Sequence, residues 1–153
     1  MGAVVRILAG DVELSFDVDG AQLVPTDLGW AERPTAVVLG ESTPYREGLG
    51  PALARVAQVV YLDGRPDGGG LGIDDLLGFL DALEIERPVL VGGSVTVDFA
   101  TRHPGRVAKV VLVGDAAEER GYPILAFADG EGLRAATDDV VAFVLEPEPE
   151  VAP

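Results

Sequence analysis

Gly92-Gly93-Ser94-Val95-Thr96 lies between the apolar run Val89-Leu90-Val91 and a helical segment ending in Ala100-Thr101-Arg102-His103-Pro104. These five residues approximate G-x-S-x-G, with threonine in place of the last glycine. The spacing does chemistry only between a strand and a helix. There a strained turn lifts the serine hydroxyl above the sheet, and small neighbours keep strand and helix from clashing. Such a hydroxyl attacks a carbonyl carbon once a base removes its proton. The chain contains a single histidine, His103, at the far end of the same helix. Roughly two helical turns separate it from Ser94, a distance on the order of 12 Å. His103 therefore reads as a cation near a helix C-terminus, before a proline that stops the helix, and not as the partner of Ser94.

Without an imidazole, the groups left to move protons are carboxylates. Glu41, Asp63, Asp67, Asp115 and Asp129 all fall just after apolar runs, and a carboxylate acts as a base near neutral pH only where burial raises its pKa. Ser94, Asp129 and Glu41 are the candidate catalytic residues. Ser42, Tyr45, Asp63, Gly93, Val95 and Asp115 are the candidates for holding a substrate. Clustered acids can take magnesium or calcium through hard oxygen ligands, but no spacing here demands a metal, and no cofactor is called for. The glycine-rich stretch Asp67-Gly68-Gly69-Gly70-Leu71-Gly72 fits neither a dinucleotide fingerprint nor a P-loop and reads as a flexible loop.

The elements that must position these groups follow from hydrophobic period. Val12, Leu14, Phe16 and Val18 alternate with Glu13, Ser15 and Asp17, the pattern of a half-buried strand. Asp19-Gly20 is expected to turn this strand into a hairpin with residues 21–25, with an edge strand before it at 4–9. From residue 35 the pattern changes to short, fully apolar runs at 35–40, 58–64, 88–94, 109–115 and 123–130. Runs of this kind suit parallel strands covered on both faces. Between them, Pro51 is expected to start a helix with Leu53 and Val56 inward. Ile73, Leu76, Leu77, Leu80 and Leu83 repeat at helical spacing, leaving Asp74, Asp75, Asp81 and Glu84 outside. Residues 137–147 read as a terminal helix. The expected architecture is an α/β three-layer sandwich with a mostly parallel sheet and an N-terminal antiparallel hairpin. Ligands of such sheets bind beyond the carboxyl ends of the strands. Trp30 and Tyr61 read as packing residues.

Composition sets the class. The 153 residues suit one domain, taken as 1–145, with an acidic, proline-rich tail at 146–153 expected to be disordered. The absence of cysteine excludes disulfides and thiolate chemistry. No signal-peptide pattern or long apolar span is visible, so a soluble, cytoplasmic protein is expected. With 26 acidic against 11 basic residues the formal charge is −15, which disfavours nucleic acid and anionic membranes as partners. The acidity reads mainly as a solvated surface.

A longer stretch carries a resemblance. Val59-Val60-Tyr61-Leu62-Asp63-Gly64-Arg65-Pro66, then the segment running from Asp74 through Leu80-Asp81-Ala82-Leu83 and Glu86-Arg87-Pro88 to Ser94, then Thr101-Arg102-His103-Pro104 with the next strand, resembles the α/β-hydrolase fold family. The similarity is greatest to its proline-iminopeptidase-like branch and runs from about residue 35 to 128. The resemblance implies a serine nucleophile, an acid after the seventh strand, a histidine after the eighth and an oxyanion hole. Ser94 matches the nucleophile. The acid falls near Asp129, Glu131 or Gly132. No residue matches the histidine. Gly40-Glu41 stands where the family has His-Gly, placing a carboxylate where an oxyanion needs donors. The helix after Ser94 is about a turn shorter than the family's, and residues 114–123 leave no room for the usual cap.

The expected function is therefore that of a reduced, cap-less hydrolase fold with an incomplete triad. The reading carried forward is non-hydrolytic acid–base chemistry, of cyclase, isomerase or lyase type, on a small organic molecule above the strand ends. A catalytically silent binding protein (a pseudoenzyme) or an engineered minimal scaffold is the first alternative. A weak serine esterase or peptidase using Ser94 is the second. Apolar surface left open by the missing cap also leads to an expectation of self-association.

Overall fold

The computed structural model describes residues 5–9, 12–21, 23–39, 49–64, 72–113, 124–127 and 137–145. Two antiparallel strands come first, β1 (Val5–Ala9) and β2 (Val12–Asp19), with Val5 opposite Phe16 and Ala9 opposite Val12. A short ribbon follows, β3 (Leu23–Thr26) against β4 (Gly29–Glu32). Strands and helices then alternate, beginning with β5 (Thr35–Leu39), α1 (Leu49–Ala54), β6 (Gln58–Gly64) and α2 (Ile73–Ala82). After these come β7 (Val89–Gly92), α3 (Ser94–Arg102), β8 (Lys109–Val113), β9 (Ile124–Phe127) and α4 (Thr137–Leu145).

Among the described residues, seven strands form one sheet in the order β1-β2-β6-β5-β7-β8-β9, parallel from β6 to β9 and antiparallel at the β1–β2 and β2–β6 pairs. The apolar runs behave as a two-sided sheet requires. Every residue of β5 and β7 is buried, and alternate residues serve opposite faces. Val37, Leu39, Leu90, Val110 and Leu112 pack with Leu76, Phe79 and Leu80 of α2 and with Phe99 of α3. Ala36, Val38, Val89, Val91 and Val111 pack with Leu49 and Leu53 of α1 and with Val140 and Val144 of α4. The result is the expected three-layer α/β sandwich.

Helix ends are set by local chemistry. The Asp75 carboxylate accepts from the Gly72 amide at 3.1 Å, and Asp74 and Asp75 lie in the first turn of α2, where the helix dipole favours negative charge. The helix closes with bonds from Glu84 N–H to the Asp81 carbonyl and from Ile85 N–H to the Leu80 carbonyl, the two bonds of a Schellman motif. At the amino-terminal edge of the sheet, Arg106 pairs with Asp81 at 2.8 Å and donates to the carbonyls of Ile85 and Glu86. It thereby ties the segment before β7 to the turn before β8. The terminal helix α4 is held by Lys109, the only lysine. Its ammonium, buried at 3% exposure, donates to the carbonyls of Phe143 and Val144 in the last turn and lies over the Phe143 ring.

Three local expectations are corrected. Asp19-Gly20 does not turn β2 into a paired strand, since residues 23–26 pair with β4 in a separate ribbon. Gly20 has φ +78°, and a Cβ there would come within 2.4 Å of the Ala57 carbonyl oxygen, so this glycine serves a close approach to the turn before β6. Helix α1 begins at Leu49, before Pro51, and ends at Ala54, which leaves Val56 in the following turn. Pro51 is tolerated because first-turn amides need no helical partner. Trp30 is not a packing residue: it is 72% exposed, because no layer among the described residues covers the outer face of the ribbon. Tyr61, by contrast, is buried as expected.

Candidate functional site

Strand order changes direction at β5, which sends one connection to β6 and has β7 on its other side. Crevices at such points, beyond the carboxyl ends of the strands, are where open α/β sheets bind ligands. Ser94 stands there as the first residue of α3, directly after Gly93 and the end of β7.

The turn that carries Ser94 is tight on one side and open on the other. A Cβ on Gly92 would lie 3.2 Å from the Leu39 Cβ, 3.3 Å from the Thr96 Cγ2 and 3.4 Å from the Leu39 carbonyl oxygen. Glycine at 92 therefore lets β5, β7 and α3 converge. A Cβ on Gly93 would meet nothing within 4 Å. Thr96, in the position of the motif's last glycine, is fully buried, and its hydroxyl donates to the Gly93 carbonyl at 2.7 Å. The Thr96 amide donates to the same oxygen at 3.1 Å. The hydroxyl thus satisfies itself on the turn instead of leaving a buried polar group. Val95 is half-buried and contributes an amide in the first helical turn, where amides lack a carbonyl partner within the helix.

Register sets level the ends of the strands that precede the other candidates. Gly92 is level with Leu112 of β8, Val38 with Val91, Leu39 with Leu62 of β6, and Val113 with Phe127 of β9. Neighbouring strands lie about 5 Å apart. In sequence, Glu41 and Asp115 follow β5 and β8, the two strands flanking β7, and Asp129 follows β9, two strands from β7. Asp63 lies near the end of β6, two strands away on the other side. Glu41, Ser42, Tyr45, Asp67, Asp115 and Asp129 lie outside the described residues.

His103 sits where its spacing placed it. Its amide donates to the Phe99 carbonyl at 2.8 Å, closing α3, and its ring packs against Phe99 with centroids 5.1 Å apart. The nine residues of α3 separate it from the turn at Ser94, on the order of 13 Å of helix. The imidazole belongs to the far end of the helix.

No family model matches the sequence. Two curated relatives do. Over 48 residues the chain is 48% identical to 2-hydroxymuconate semialdehyde hydrolase of Pseudomonas sp. strain CF600, covering 29% of this chain and 17% of that protein. Over 124 residues it is 32% identical to 2-hydroxy-6-oxo-2,4-heptadienoate hydrolase of Pseudomonas putida strain F1, covering 71% of this chain and 43% of that protein. The chain thus spans less than half the length of either. Among solved structures, 2-hydroxy-6-oxo-6-phenylhexa-2,4-dienoate hydrolase of Rhodococcus sp. strain RHA1 superposes with a TM-score of 0.57 at 20% identity, over 79% of this chain and 50% of that one. The proline iminopeptidase-related protein of Thermus thermophilus gives 0.56 at 24% identity, over 74% and 44%. The strand order, the serine at the turn between β7 and α3, and these likenesses show that the chain has the α/β-hydrolase fold. Both curated relatives are hydrolases named for acting on unsaturated hydroxy-oxo compounds.

Residues 114–123, the whole connection between β8 and β9, number ten. Among the described residues, no helix is long and apolar enough to cross a membrane. Sequence reasoning did not single out the Thr96 hydroxyl. Its signal was a threonine where the motif expects the smallest residue.

Proposed function

We propose that this chain binds a small unsaturated hydroxy-oxo acid beyond the carboxyl ends of its parallel strands and moves protons on it, as an isomerase does, without serine hydrolysis. The carrying observation is the position of His103, the chain's single imidazole. It closes the far end of α3 and packs on Phe99, out of reach of Ser94. A serine without a base is a poor nucleophile, whereas proton transfer needs only a shaped pocket and one or two carboxylates.

A 2-hydroxy-2,4-dienoate, the type of compound named in the second relative, is an enol. Its conversion to the 2-oxo form removes the hydroxyl proton and delivers one proton to a chain carbon, with no bond to water formed. In this reading Asp129 and Glu41 exchange those protons. Ser94 and the Val95 amide hold the developing oxyanion at a helix N-terminus, which favours negative charge. Ser42, Tyr45, Asp63, Gly93 and Asp115 line the pocket. No metal or cofactor enters.

The identity to hydrolases supports a second reading, in which Ser94 attacks and a carboxylate serves as its base. Incubation of 2-hydroxy-6-oxo-2,4-heptadienoate in D2O, followed by mass spectrometry, separates the two. Proton transfer gives deuterium on carbon in an uncleaved product, which Ser94→Ala forms more slowly but still forms, because the carboxylates and the Val95 amide remain. Hydrolysis gives two shorter acids, and Ser94→Ala abolishes them. Neither product, with no ligand-induced rise in melting temperature, marks a silent protein and overturns both.

A further inference from the structure

The ribbon β3–β4 presents an apolar face that nothing in the described fold covers. Its register sets Leu23 opposite Glu32, Val24 opposite Ala31 and Pro25 opposite Trp30. Residues two apart along a strand share a face, so Leu23, Pro25, Trp30 and Glu32 point one way. Val24 and Ala31, both half-buried, point the other. Leu23 is 53% exposed, and Leu28 at the tip is fully exposed. Of the large hydrophobic residues exposed among the described residues, only Leu145 lies outside this ribbon. Scattered single apolar residues are ordinary on a surface, but a contiguous group marks an interaction site. Tryptophan is also among the residues that most often anchor interfaces.

The chemistry of the occupant follows from the rim. Residues 23–32 include Asp27 and Glu32 and no basic side chain. At the ribbon's base, Glu32 also lines a groove of about 510 Å³, together with Glu84, Glu86, Arg33 and Arg87. The three carboxylates are on exposed residues; Arg33 is half-buried, and the exposed Arg87 donates to the Val107 carbonyl at 3.3 Å. An apolar face therefore runs into a groove where carboxylates outnumber guanidinium groups three to two. A chain of formal charge −15 repels a second copy of itself and an anionic bilayer, and it attracts a cationic partner.

We propose that the ribbon and the groove at its base form one docking surface for a cationic amphipathic segment of another protein. Its apolar residues would lie on Leu23, Leu28 and Trp30, and its lysines or arginines on Glu32, Glu84 and Glu86. This surface lies at the amino-terminal side of β5 and β7, away from Ser94 at their carboxyl ends, and is independent of the proposed chemistry.

Trp30 is the single tryptophan, so the intact protein carries its own reporter. The probe is a short leucine–lysine amphipathic peptide, with serine–lysine and leucine–glutamate peptides as controls. The expected result is a blue shift of Trp30 emission and saturable binding of the leucine–lysine peptide that weakens with added salt. Binding followed by the anisotropy of labelled peptide should weaken at least about tenfold in Leu23→Ser/Trp30→Ser and in Glu32→Gln/Glu84→Gln/Glu86→Gln. Both variants should keep the parent melting temperature; if either melts lower, the emission shift and its salt dependence in the parent decide the matter. Four outcomes overturn the proposal. Equal binding of the serine–lysine peptide reduces the surface to bulk acidity, and equal binding of the leucine–glutamate peptide removes the charge argument. An emission shift on phosphatidylcholine vesicles alone makes the ribbon a lipid contact. A shift that grows with protein concentration alone makes it a self-association face.

Discussion

The hydroxyl of Thr96 donates a 2.7 Å hydrogen bond to the carbonyl of Gly93, the residue immediately before Ser94. The chain thus pins the turn that presents its serine, from a position where the motif has no side chain at all. Thr96→Val keeps the shape and removes the bond, while the Thr96 amide continues to serve the same carbonyl at 3.1 Å. The expected loss is about 1 kcal/mol in urea unfolding. A loss below about 0.3 kcal/mol means the hydroxyl does not hold the turn.

The two glycines before Ser94 differ sharply in what surrounds them, and their alanine variants should differ accordingly. Gly92→Ala drives a methyl group against Leu39 and Thr96 at 3.2–3.4 Å; overpacking of this kind costs about 1–3 kcal/mol. Gly93→Ala adds its methyl to open space and should stay within about 1 kcal/mol of the parent, while weakening any ligand held above the strand ends. Equal stability losses would show that the space over Gly93 is not open.

Lys109 fixes the terminal helix from the start of β8. Lys109→Met removes the charge and leaves the carbonyls of Phe143 and Val144 without their buried donor. The expected cost is about 2–3 kcal/mol, with faster hydrogen exchange concentrated in α4. A loss spread evenly over the chain, or below about 0.5 kcal/mol, contradicts the role of a helix clamp.

The parallel core was legible because its strands are buried on both faces. The runs beginning at Thr35, Gln58, Val89 and Lys109 are strands at nearly the residues where hydrophobicity alone put them. Ser94 at the strand-to-helix turn and His103 at the helix end were legible for the same reason, since spacing along a helix fixes distance. Local pattern fails where tertiary contact decides. Asp19-Gly20 has hairpin chemistry, yet its glycine answers to the Ala57 carbonyl rather than to a two-residue loop. Trp30 reads as a packing residue from its type alone, which is silent on what covers its face. The clamp at Lys109 joins residues 34 or 35 apart in sequence, beyond any local signal. The site is only partly legible, because Glu41, Asp115 and Asp129 follow apolar runs in sequence and no apolar pattern fixes where they stand relative to Ser94.

Glu84 ends α2 with φ +57°, in the left-handed region that a non-glycine residue reaches at a cost. The turn is closed by backbone bonds to Asp81 and Leu80, and the Glu84 side chain is exposed. Glu84→Gly should therefore raise stability by about 1 kcal/mol, read as a higher urea midpoint at unchanged slope. A lower midpoint means the carboxylate holds the turn in a way the backbone does not.

The account rests most heavily on His103 as a helix terminus and not a base. The direct measurement is the rate of deuterium uptake onto carbon of 2-hydroxy-6-oxo-2,4-heptadienoate in D2O, for the parent and for His103→Gln. The account predicts a parent rate clearly above that of buffer and a His103→Gln rate within about twofold of it, since the ring packs on Phe99 at the far end of α3. A parent no faster than buffer contradicts it. So does a His103→Gln variant slowed by about a hundredfold, the scale of a lost general base.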